Sequence, residues 1–74
     1  MAFSYKTDKI IAEIGNAGNV SKRLTVTAWN GNPARLDLRL WITTESGQLQ
    51  PGKGITLSDT EARELQAALT KYFE

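Results

Sequence analysis

A chain of 74 residues with nine Lys plus Arg against eight Asp plus Glu has a net charge of only +1, and it contains neither Cys nor His. That length allows one small domain, residues 1–74, and the composition excludes disulfide staples, an ordinary zinc site and the commonest general base at neutral pH. A core this small is often completed by self-association, so a dimer is expected.

The start, Met1-Ala2-Phe3-Ser4-Tyr5-Lys6-Thr7-Asp8, has no apolar core of signal-peptide length, and no apolar run is long enough to span a membrane. A cytoplasmic protein without a membrane partner is the expectation. Clusters rich in Gly and Asn punctuate the chain: Gly15-Asn16-Ala17-Gly18-Asn19, Asn30-Gly31-Asn32-Pro33, Ser46-Gly47 and Pro51-Gly52-Lys53-Gly54. The first segment between breaks, roughly 5–14, carries Ile10, Ile11, Ala12 and Ile14 with imperfect alternation. The second, about 22–29, alternates cleanly, with Leu24, Val26 and Ala28 on one side and Arg23, Thr25, Thr27 and Trp29 on the other. The third, about 35–43, places Leu36, Leu38, Leu40 and Ile42 opposite Arg35, Asp37, Arg39 and Trp41. The break between these two is too short for a crossover helix, so they pair as an antiparallel hairpin with their aliphatic faces together. A short fourth run, Ile55-Thr56-Leu57, follows the last glycines.

The final seventeen residues change character. Ser58-Asp59-Thr60-Glu61 fits a capping box, and Ala62, Leu65, Leu69 and Tyr72 follow at helical spacing with Phe73 beside them. The expected fold is α+β, a four-stranded antiparallel sheet followed by one C-terminal helix laid over the aliphatic face.

That arrangement leaves Arg23, Trp29, Arg35, Arg39 and Trp41 on the uncovered face, with Asp37 as its one acid. Guanidinium groups hold phosphates and indole rings stack on bases, which suits an unpaired nucleic acid strand better than a duplex whose base faces are hidden. The charge distribution points the same way. Residues 1–57 hold Lys6, Lys9, Lys22, Arg23, Arg35, Arg39 and Lys53 against Asp8, Glu13, Asp37 and Glu45, a balance of +3. Residues 58–74 hold Arg63 and Lys71 against Asp59, Glu61, Glu64 and Glu74, a balance of −2. Structural roles stand beside the functional ones. Either tryptophan can belong to a core or a dimer interface, Arg39 can pair with Asp37, and Lys22 and Lys53 near breaks can be solvated. The Pro-Gly-Lys-Gly string is not a Walker loop. With one acid on the face, the carboxylates that a two-metal nuclease needs are missing, so no catalytic, cofactor or metal site is expected.

The stretch Trp29-Asn30-Gly31-Asn32-Pro33-Ala34-Arg35-Leu36-Asp37-Leu38-Arg39-Leu40-Trp41, followed by Pro51-Gly52-Lys53-Gly54-Ile55-Thr56-Leu57-Ser58 and an acidic helix, resembles the transcriptional coactivator family called positive cofactor four. The likeness is nearest to its short bacterial and phage members of YdbC type, and it is strongest from about Lys22 to Leu65. The resemblance implies a homodimer that binds single-stranded or melted DNA with little sequence preference, in a nucleoid or host cytoplasm, alongside transcription or replication proteins. It maps the base-stacking aromatic onto Trp29, the third-strand arginine and the aromatic after it onto Arg39 and Trp41, and the turn cation onto Lys53. Asn30 and Asn32 stand where eukaryotic members carry hairpin lysines, the turn has one basic residue instead of two, and Arg39 and Trp41 lie one residue closer together. The expected contact set is Lys22, Arg23, Trp29, Asn30, Arg35, Arg39, Trp41 and Lys53. RNA on the same face and a protein partner docked on it are the alternatives.

Overall fold

Alternating segments joined by glycine turns fold into an antiparallel meander, β1 (Tyr5–Ala17), β2 (Val20–Trp29), β3 (Arg35–Thr43) and β4 (Leu49–Leu57), followed by α1 (Asp59–Tyr72). Strands neighbour one another in chain order, as the short breaks require. This computed structural model describes residues 4–74; residues 1–3, part of the start read for targeting signals, lie outside the described residues.

The β2–β3 hairpin has the expected register, pairing Arg23 with Arg39, Leu24 with Leu38, Thr25 with Asp37, Val26 with Leu36 and Thr27 with Arg35. Its turn is set by Asn30 and Gly31, both at positive φ (52° and 79°), with the Asn32 N–H donating to the Trp29 carbonyl at 2.9 Å. Two left-handed central residues make a type I′ turn, whose twist matches that of the flanking strands.

Two strands differ from expectation. β1 continues to Ala17, and its register against β2 slips between Thr7 and Lys9, Ile10 and Ala12, and Ile14 and Asn16. These bulges are the reason its apolar residues alternate imperfectly. β4 begins at Leu49, so Pro51-Gly52-Lys53-Gly54 is strand instead of a break. Proline is tolerated there because β4 is an edge, and the register slips opposite Leu40. Gly54 serves close approach, not turning: a Cβ on it would run into the Cα and Cβ of Arg39.

The sheet is strongly coiled. Tyr5 pairs with Trp29, at the far end of β2 from Ser21, the partner of Trp41. On a flat sheet eight residues of strand would separate them by about 26 Å. Their rings instead lie 5.6 Å apart, so the face bearing Tyr5, Trp29, Arg39 and Trp41 is concave. Bulges supply the added bend and twist.

This curvature reverses the expected burial. The arginine and tryptophan face was expected to be open, yet Trp41 (2% exposed), Thr25, Thr27, Ser21 and Asp37 are the buried residues among those described, and all lie on it. Coiling lets side chains of one face cover each other without a second layer. The aliphatic face, expected under the helix, is only half covered. Leu24, Val26, Leu36, Leu38 and Leu40 are intermediate in burial, and no residue of α1 is buried. The helix meets β3 and β4 and leaves a groove of about 490 Å³ lined by Ile11, Leu24, Leu36, Leu57, Leu65 and Leu69, among others.

The helix start is as predicted. The Ser58 side chain accepts from the Glu61 N–H at 3.1 Å, and the Glu61 carboxylate accepts from the Ser58 N–H at 2.8 Å. Hydrogen bonding to the Glu61 carboxylate, first from the Ser58 N–H and then from the Ser58 hydroxyl, holds that carboxyl below its ordinary value, with a smaller pull from Arg35. Arg63 donates to Asp59 one turn away at 2.9 Å.

Candidate nucleic-acid interface

Period-two geometry puts Trp29 of β2 and Asp37 and Arg39 of β3 on the concave face, and coiling brings them together. Asp37, fully buried, accepts three hydrogen bonds at 2.9 Å: Trp29 Nε1 and Arg39 Nη2 both donate to Oδ2, and Arg39 Nε donates to Oδ1. The third guanidinium nitrogen, Nη1, donates to the Gly52 carbonyl at 2.8 Å. The planar fork of arginine matches a carboxylate in this bidentate way, and a buried carboxylate needs such a partner. The guanidinium carbon also lies 4.4 Å from the centre of the Trp29 ring, within cation–π reach.

Around this clasp the aromatics form a cluster. Tyr5 lies 5.2 Å from Trp29 and 5.6 Å from Trp41, tilted to both. It is the most exposed of the three, at 40%. Beside Trp29 is a pocket of about 290 Å³ lined by Thr27, Trp29, Asn32, Pro33, Arg35 and Thr56. An indole ring, an amide, a guanidinium and the exposed Thr56 hydroxyl can together hold a flat heterocycle and its phosphate.

The expected contact residues divide into groups. Trp29, Arg35, Arg39 and Trp41 share the concave face, with Arg35 exposed on the pocket wall. Arg23 also lies there, its Nη2 3.4 Å from Glu13. Arg39 is clasped by Asp37 and its side chain is 16% exposed, so its charge is largely balanced. Lys22 pairs with Leu40 on the aliphatic face, away from Trp29. Asn30 ties down the chain start: its N–H donates to the Ser4 carbonyl at 2.8 Å and its Oδ1 accepts from the Ser4 N–H at 3.0 Å. Lys53 is exposed on the edge strand beside Gly52.

Tyr5, Asn32 and Thr56 join the site although sequence patterning did not select them. Tyr5 became visible only through its pairing with Trp29, which the bulges of β1 hide from any alternation count.

A coiled four-stranded sheet, backed by one capped helix and bearing an arginine-clasped aromatic cluster, defines a small protein built around one displayed sheet face. Residues 18–68, more than half of the chain, match the family model of the transcriptional coactivator p15 (PC4). The chain belongs to that family, and the match is consistent with its YdbC-type members without distinguishing them. No curated protein matches the chain.

Proposed function

We propose that the protein is a non-enzymatic, homodimeric binder of single-stranded or melted DNA that serves transcription, replication or recombination in the cytoplasm, associated with the nucleoid. The carrying observation is the concave face, where Tyr5, Trp29 and Trp41 gather beside the Arg35-lined pocket. The exposed Tyr5 and half-buried Trp29 can stack on any base, with the buried Trp41 supporting Tyr5 from behind, and cations on the same surface track the backbone, so sequence preference is modest. Arg39 acts here by holding Trp29, and Arg23, Arg35 and Lys53 take the phosphates. Family membership supports this reading.

A second copy completes the aliphatic face. The groove against α1 and the exposed Leu65, Leu69, Tyr72 and Phe73 present apolar side chains that a second copy would cover. Pairing two copies there keeps both concave faces outward for DNA.

The test is a titration of tryptophan fluorescence with single-stranded and duplex DNA of one sequence at several salt concentrations. Binding that quenches fluorescence, favours the single strand and weakens with salt is expected. About three phosphates neutralised on each face correspond to a slope of log affinity against log salt near −2. Equal affinity for the duplex, or unchanged fluorescence, refutes the proposal. RNA of the same sequence, added as competitor, tests the alternative substrate.

A further inference from the structure

Alternation along β2 and β3 leaves Asp37 as the one acid of the concave face, and the bulged register of β1 adds a second. Glu13 pairs with Arg23, and Arg23 pairs with Arg39 on the next strand. Residues directly opposite in antiparallel strands share a face, and like charges so placed repel, so each arginine of this row is met by a carboxylate. The two pairs differ in kind. Asp37 is fully buried and accepts from two nitrogens of Arg39 at 2.9 Å. Glu13 Oε2 lies 3.4 Å from Arg23 Nη2, longer than a good hydrogen bond, and the Glu13 side chain is 44% exposed against 21% for Arg23. Its other oxygen accepts from Asn16 Nδ2 at 3.0 Å, which keeps the carboxylate beside the guanidinium. Arg39 is therefore locked, and Arg23 is exchangeable.

Resting on the single-stranded-DNA reading, we propose that Glu13 is a built-in competitor for phosphate. In the free protein its carboxylate stands in the place that a backbone phosphate of the bound strand takes on Arg23. A guanidinium donates to either anion. The carboxylate's place is open to solvent, since nearly half of its side chain is exposed, so a phosphate reaches Arg23 by displacing Glu13 and not by entering the packed face. A loose pair that is partly in water contributes little, and a strand that also stacks on Tyr5 and Trp29 offsets its loss. Glu13 thus limits how tightly the strand is held, and Arg35 is the arginine of this face outside both pairs.

The experiment measures anisotropy of a labelled oligo-dT strand with the parent chain, E13Q, R23Q and the double variant, at low and at high salt. E13Q removes the charge and keeps an oxygen that accepts from Asn16. It is expected to bind about fivefold tighter than the parent at low salt, the scale of one partly exposed ion pair. That gain shrinks at high salt, where the charges are screened. In the R23Q background the gain from Glu13→Gln is largely lost, because the carboxylate has no guanidinium left to occupy. E13A reads the same gain should E13Q fail to fold. Affinity unchanged or lowered in E13Q and E13A, as a purely structural pair requires, overturns the competitor while leaving single-strand binding standing. An equal gain with and without Arg23 overturns it too. Failure of the parent and every variant to bind overturns both readings.

Discussion

The guanidinium of Arg39 lies over the ring of Trp29, its central carbon 4.4 Å from the ring centre, while one oxygen of Asp37 accepts from both side chains. A buried acid thus fixes a cation and an aromatic on the face proposed to meet DNA. Replacing Asp37 with Ala leaves the Arg39 charge without its counterion on a face that is mostly shielded from water. The expected loss is about 3–5 kcal/mol of folding stability, read from the midpoint of a urea melt. A loss below about 1 kcal/mol would show that water reaches Arg39 freely.

Gly54 sits where Arg39 leaves no room for a Cβ. Gly54→Ala must push β4 away from β3 or tilt Arg39 off Asp37, and is expected to cost about 1–3 kcal/mol. Chemical denaturation measures this, and near-UV circular dichroism reports the displaced Trp29.

For DNA, Trp29→Ala is expected to weaken single-strand binding by about 1–3 kcal/mol. Arg35→Ala should make the salt slope shallower by about 0.7, the contribution of one phosphate on a single strand. Titrations at four or five salt concentrations give both quantities, and an unchanged slope would remove Arg35 from the phosphate path.

Leu69 is about half exposed on α1, so Leu69→Glu is tolerable in a lone protomer and unfavourable between two. Sedimentation velocity should find a dimer for the parent chain and a monomer for the variant, with helix content retained. A parent chain that sediments as a monomer at every concentration would refute the apolar pairing.

The capping box makes the helix start sensitive to acid. In the folded chain the Glu61 carboxyl is held below its ordinary value of 4.5 by the Ser58 N–H and hydroxyl. Its contribution is therefore fully present above the unfolded value and is lost as pH falls through the lower folded one. Far-UV circular dichroism during acid titration should show helix loss in that window, and Glu61→Gln should flatten the response there.

Local chemistry made much of this molecule legible in the sequence. Asn30 and Gly31 specify the hairpin turn, the alternation from Leu24 to Val26 and from Leu36 to Ile42 specifies its register, and Ser58 with Glu61 specifies the helix start. Each depends on residues close in the chain, where backbone preference and spacing act directly. Glycine was harder to interpret, because Gly52 and Gly54 carry the same letter as a turn residue while serving close packing within a strand.

Sequence alone determined the four antiparallel strands, the capped helix, and the sharing of one face by Trp29, Arg35, Asp37, Arg39 and Trp41. Tertiary structure alone decided which face is buried and what its residues do. Three slips in β1 coil the sheet, and coiling carries Tyr5 across to Trp41 and buries Asp37 beside Arg39. Alternation records which side of a strand a residue takes. Curvature is a sum of small backbone deviations over several strands, and no local pattern encodes that sum.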